Sequence, residues 1–299
     1  MQYFKQNILT CIFAVIFSMQ FCFSQGGKSP AITISSDRDR DGNITFVSNN
    51  DDYCDYYVIL DFPELRGYTA RGAYPCKKNV RTGRENLLTL KKISDTSSPG
   101  YRWSYTFYRG SINAKPNLDY IYAMPVKSGD STRVNFGRSG EFKLYFNYRH
   151  AGDTVYACRA GKVCNNDLRD GSSKTYTSRE KIVIYHKDKT FSEYDRYTTP
   201  LVHAGDNVKV GQPIAIVQPD ENGKKFVSFA VYYLDKDKML ADGRKHTSLI
   251  PIFHTVNNGD CKLDEKITYV AELTGELVTQ DMNKKEKEKY EKKLLKQNK

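Results

Sequence analysis

The sequence predicts an all-β protein of two sandwich units followed by a charged tail, and three observations carry that expectation. Residues 150–155 read HAGDTV and residues 203–208 read HAGDNV, a near-copy that continues as GDTVYACRAGKV in the first case and GDNVKVGQPIAIV in the second. Each copy opens on a Gly-Asp turn pair, where glycine takes a positive φ without steric cost, and then sets β-branched residues at alternate or near-alternate positions. Upstream, AITISS, NITFVSN, YYVILDF, LLTLKKI, YRWSYTFYRG and YIYAMPV alternate or cluster β-branched and aromatic residues between Gly, Asn, Asp and Pro breakers. The last stretch, about 281–299, is dominated by charge. Two copies of a motif are too few for a solenoid, so the duplication points to one barrel-like sandwich.

In chain order, residues 1–24 place Lys5 before an apolar run from Ile8 to Phe23 that is too short and too early for a spanning helix. That is a signal-peptide pattern with cleavage near Ser24–Gln25. After the linker GGKSP, residues 31–132 read as an immunoglobulin-like β-sandwich, its only tryptophan, Trp103, expected in the core of the most aromatic strand. Within it, DRDRDGNI sets Asp37, Asp39, Asp41, Gly42 and Ile44 at calcium-loop positions 1, 3, 5, 6 and 8. Position 12 is Ser48 instead of a bidentate glutamate, so a hairpin turn at Asp41–Gly42 explains the residues better.

The polar connection Ser128–Gly140 leads into the duplicated-motif unit, residues 138–256, with a loop expected at 169–180 and a closing strand in SLIPIFHTV. Residues 257–299 hold a further strand, KITYVAEL, and the lysine-rich tail. There Glu288 precedes Lys292 by four residues, as in a helix or solvated coil.

Charge and cysteine usage bound the partners. A formal charge of +11 with 22 tyrosines raises nucleic acid as a ligand, but an exported chain rarely meets it and the tail holds a large share of the excess. No nucleic-acid partner is expected; the remaining charge favours acidic envelope polymers or lipid head groups. No segment after the signal is apolar enough to span a bilayer. With Cys11 and Cys22 in the signal, Cys54, Cys76, Cys158, Cys164 and Cys261 remain. Export permits disulfides, and Cys158–Cys164, flanking one hairpin turn, and Cys54–Cys76 are the expected pairs. The absence of any CxxC argues against a zinc cluster on these thiols.

From about 138 to 234 the order and spacing of VYACRAGKV, IVIYHKDKTFSEYDRY, VHAGDNVKVGQPIAIV and FVSFAV resemble the lysostaphin/LytM-type zinc metallopeptidases, which cut the peptide cross-links of bacterial cell wall. The resemblance implies one zinc held by a His and an Asp from an early strand and a His from a late strand, with further histidines activating water. Carried onto this chain, the early HxxxD falls on Phe142 and Phe146, the histidine of the Tyr-x-His motif on Arg196, and the late HxH on Phe226 and Ser228. Phenylalanine has no lone pair to offer, arginine stays protonated, and a serine hydroxyl is a poor zinc ligand. Neither catalytic nor metal residues are therefore expected, and no cofactor, although zinc belongs to the family.

The resulting expectation is a catalytically inactive LytM-like protein, exported to the periplasm or the extracellular envelope, that binds peptidoglycan or an envelope protein. Arg196 and Ser228 would line the binding groove. One alternative is an active zinc-dependent wall endopeptidase with a rearranged site; of the five histidines, His150, His186 and His203 read as turn residues, and His246 and His254 could approach each other but lack an acidic partner spaced to complete a triad. Another is a periplasmic adaptor with a barrel-sandwich domain, since lipoyl-type domains and adaptors share the V-x-x-GD-x-V phrase. Neither copy shows the hairpin-tip lysine that a lipoyl carrier needs.

Overall fold

The computed structural model describes residues 29–70, 72, 74–93, 98–137, 142–167, 181–196, 199–241 and 246–297. The expected signal and the loop at 169–180 lie outside them. Among the described residues the architecture is almost entirely antiparallel β-sheet, and no helix is long and apolar enough to cross a membrane.

The amino-terminal unit pairs a four-stranded sheet, in the order Ile32–Arg38, Ile44–Asn50, Gly83–Lys92 and Tyr68–Ala70, with a three-stranded one, Cys76–Val80, Tyr56–Arg66 and Gly100–Arg109. Alternation in these strands sends Ile44, Phe46, Leu60, Tyr68 and Leu90 into one apolar cluster. Trp103 is half-buried against it, edge-on to Phe46 at 5.4 Å between ring centres. The aspartate-rich segment closes the first hairpin: Asp39 accepts from the backbone N–H of Asp41 and Asn43 at 3.0 and 2.8 Å, and Gly42 sits at φ 81°.

The second unit is built on a nine-stranded sheet. Its order is Asn207–Val208, Gly161–Val163, Lys181–Tyr185, Phe191–Asp195, Phe226–Leu234, Leu144–Asn147, Ser131–Phe136 and Thr268–Val270, with His246–Leu249 beside the end of Phe226–Leu234. A three-stranded sheet, Thr154–Tyr156, Pro213–Ile216 and Thr199–Pro200, faces it across a core that includes Phe146, Val155, Ile184, Tyr194, Ile214, Val227 and Phe229. Ser131–Phe136, which spans the end of the first expected unit, thus pairs with the strands of the second, as does Ile121–Tyr122 with Ile252–Thr255. SLIPIFHTV is split into two strands at Pro251, which lacks the N–H to continue a ladder.

The two motif copies are interleaved. The start of the first pairs with the end of the second, Thr154 opposite Ile216, and the end of the first pairs with the start of the second, Gly161 opposite Val208. The turn glycines repeat the exchange: Gly152 donates to the Val217 carbonyl at 2.8 Å and Gly205 to the Val163 carbonyl at 2.9 Å. Both take φ near 90°, where a side chain would be strained. Each half supplies what the other lacks, which is why the motif occurs twice.

The units meet through Ile32, Tyr56, Val58 and Phe107 on one side and Cys164, Val183 and Phe191 on the other. At this junction Arg109 and Asp52 form a buried ion pair of 2.7 Å, and both also bond Asn165. The tail is helical over Lys284–Gln297, opened by a reciprocal cap in which the Asn283 N–H donates to Glu286 and the Glu286 N–H to the Asn283 side chain.

The five described cysteines are free thiols, and the two members of each expected pair lie in different apolar clusters. Cys158 points into the core of the second unit, whereas Cys164 faces the junction with the first, so the two lie on opposite sides. Cys76 stands opposite Leu60 and packs against the amino-terminal core, whereas Cys54 belongs to the junction cluster.

Candidate functional site

Strand parity sorts the five sequence-selected positions into two groups. In the antiparallel pairing of Leu144–Asn147 with Phe226–Leu234, Phe146 is opposite Val227 and Tyr145 is opposite Ser228. Directly opposed residues share a face. Phe146, fully buried, and Phe142, half-buried and edge-on to Phe136, therefore pack on the core side. Phe226 and Ser228 point to the other side of the sheet, so the structure does not bring Phe142 and Phe146 together with them.

The face that holds Phe226 and Ser228 carries a row across five strands: Asn135, Tyr145, Ser228, Asp195 and Lys181. One step along, Phe226 packs edge-on against Tyr145 at 5.3 Å between ring centres. The Arg196 guanidinium lies 5.2 Å from the Phe226 ring centre and 6.0 Å from that of Tyr145. Arg196 is exposed, and its φ of 68° is a left-handed conformation uncommon for a side chain of its size. The Asp195 carboxylate accepts from the Arg196 backbone N–H at 2.7 Å and holds that turn.

Glu193 lies on the same face between Lys143, at 3.2 Å, and Lys181, at 3.1 Å. Burial raises the Glu193 pKa, but the two ammonium groups outweigh it and hold the carboxyl below its usual range. The arrangement offers two aromatic surfaces and a cation held over them, suited to contacting a carboxylate or a planar peptide group. Its donors suit zinc poorly: two rings, a guanidinium, one hydroxyl, and carboxylates already engaged by lysines or by the backbone.

Tyr145 is the residue that counting along the sequence missed. The alternation Leu144, Phe146, Tyr148, all buried, was the available signal, because it already assigns even positions to the core.

The histidines lie in separate settings. His150 and His203 open the two motif turns and are exposed; in each the backbone N–H donates to the aspartate three residues on, Asp153 at 2.9 Å and Asp206 at 2.8 Å. His186 is buried, with Nδ1 at 2.7 Å from the Ala160 carbonyl and Nε2 at 3.0 Å from Ser192 Oγ. Since a carbonyl only accepts, Nδ1 carries the proton and Nε2 accepts from the hydroxyl. His246 bonds the Arg109 carbonyl at 2.9 Å. His254 sits between Asp260 at 2.6 Å and Glu272 at 3.1 Å, which raise its pKa. Among the described residues, one cluster of three metal-capable side chains occurs, Asp52, Cys54 and Cys164, at the junction of the units.

Residues 145–239 match the family model of peptidase family M23, the LytM-type peptidases. No curated protein matches the sequence. Among solved structures, the hexagonal crystal of Helicobacter pylori Csd3 is 14% identical, covering 68% of this chain and 71% of that one, with a TM-score of 0.28. The orthorhombic crystal of Csd3 is 13% identical, covering 88% and 84%, with a TM-score of 0.30.

Proposed function

We propose that the family M23 domain of this chain serves as a binding module of the bacterial envelope and does not cut the wall. The observation that carries this reading is the meeting of Arg196 with the rings of Phe226 and Tyr145 on one sheet face; Ser228, opposite Tyr145, is buried at 3% exposure and does not line a groove there. A zinc peptidase needs three ligands and an open fourth position, with a base nearby to move the proton. Here the corresponding side chains offer π-faces and a fixed positive charge. They hold a peptide by its carboxylate and its flat amide bonds, and they have no route to an activated water.

In this reading the chain is exported to the periplasm or the cell exterior, holds no zinc, and takes peptidoglycan stem peptide as its ligand, with an envelope protein as the other candidate. Sedimentation with purified peptidoglycan, with metal content measured on the same sample, tests it. The expected result is co-sedimentation without zinc and without released muropeptides. Stoichiometric zinc together with chelator-sensitive release of cleaved muropeptides would overturn it.

A further inference from the structure

Cys54 closes the amino-terminal unit's side of the junction and Cys164 lies on the other side, both almost fully buried. Their sulfurs and a carboxylate oxygen of Asp52 all lie within 4.8 Å of one another. Cys54 Sγ also lies 3.5 Å from Asp52 Oδ2. Such a cluster invites a metal, but the carboxylate is already spent. Its Oδ2 accepts from Arg109 at 2.7 Å and Tyr56 at 2.9 Å, and its Oδ1 from the N–H of Asn165 at 2.6 Å and of Tyr53 at 2.7 Å. A cation bound there would also sit beside the Arg109 guanidinium. What remains is a pair of sulfurs held together by two units that pack around them.

We propose that Cys54 and Cys164 form an intramolecular disulfide that covalently joins the two β units across their junction. Closing 4.8 Å to a bond of about 2.05 Å asks each sulfur to move by at most about 1.4 Å. The neighbouring backbone is held by the Asp52–Asn165 and Arg109–Asn165 bonds, so the pairing is preorganised. Oxidation proceeds by exchange with a low-molecular-weight disulfide: one cysteine thiolate attacks it and releases one thiol, and the second thiolate attacks the mixed disulfide and releases another. The two cysteines lose two protons and two electrons, and the oxidant gains them as two thiols. Burial pushes the Cys54 thiol well above its ordinary pKa. Exchange is therefore slow once the junction has closed, and the bond forms as the units dock during folding. The inference needs an oxidant and is independent of the wall-binding reading.

The test is to unfold the full chain in reductant, refold it in a buffer containing glutathione disulfide, block free thiols with an alkylating reagent, and map peptides without reduction. The expected product links the Cys54 and Cys164 peptides, while Cys76 and Cys261 carry the label. Its melting temperature should exceed that of the reduced form by roughly 5–10 °C, because the cross-link closes a long loop. Cys164→Ala should abolish both the link and the shift; the map of the unaltered chain stands whether or not that variant folds. Labelled Cys54 or Cys164 in the oxidised folded protein, either one bridged to a different cysteine, or zinc retained by the pair in place of the bond would overturn the proposal.

Discussion

Tyr145 stands directly opposite Ser228 on neighbouring strands, and that register gives the outer sheet face its aromatic floor. With Phe226 beside it and Arg196 above, the face sets two aromatic rings beneath one guanidinium.

Arg196 separates binding from stability. Arg196→Ala removes the cation and is expected to weaken co-sedimentation with peptidoglycan roughly tenfold, in line with one charge-assisted hydrogen bond. Arg196→Gly removes it as well and also relieves the left-handed backbone at φ 68°, so it should bind as weakly yet be more stable by about 0.5–1 kcal/mol. Unfolding midpoints and sedimentation measured on the same two variants check both halves.

The junction depends on a charge pair that is costly to break from one side. Arg109 and Asp52 are only 3% and 0% exposed, and Arg109→Met leaves the carboxylate buried without its cation. A loss of about 3–5 kcal/mol in chemical denaturation is expected, well above that of a surface ion pair such as Arg84–Asp37.

His186 makes stability depend on mildly acidic pH. Burial, with the Arg159 charge adding to it, pushes its pKa down to about 4 against 6.5 for an exposed imidazole; Asp188 and Asp281 only partly oppose this. Between those values the unfolded chain binds the proton and the folded one does not. The contribution is therefore complete above pH 6.5 and is lost as pH falls toward 4, by about 3 kcal/mol in total. His186→Gln should flatten the melting-temperature profile over that window. An unchanged slope in the variant would assign the pH dependence to other groups.

The repeated turns should respond alike. Asp153 and Asp206 each accept from a histidine backbone N–H three residues earlier, at 2.9 and 2.8 Å. Asp153→Ala and Asp206→Ala are each expected to cost about 0.5–1.5 kcal/mol, as for one net hydrogen bond. Unequal losses would mean that the two copies, though alike in sequence, do not share their load equally.

Much of the architecture was legible in the residues. The doubled HAGD turn announced the second unit because a Gly-Asp pair followed by alternating β-branched residues admits few other conformations. The Asn283–Glu286 spacing likewise carries the cap of the tail helix, since capping needs only residues within one turn. Alternation within one strand even separates Phe146 from Tyr145. What it leaves open is which residue of a distant strand each faces, because a shift of one residue in register exchanges the two faces. Packing alone set Tyr145 against Ser228 and left Phe146 in the core. The cysteines show the same division: their number and spacing are in the sequence, but Cys54 meets Cys164 only because the two units bury apolar faces against each other, a contact without local periodicity.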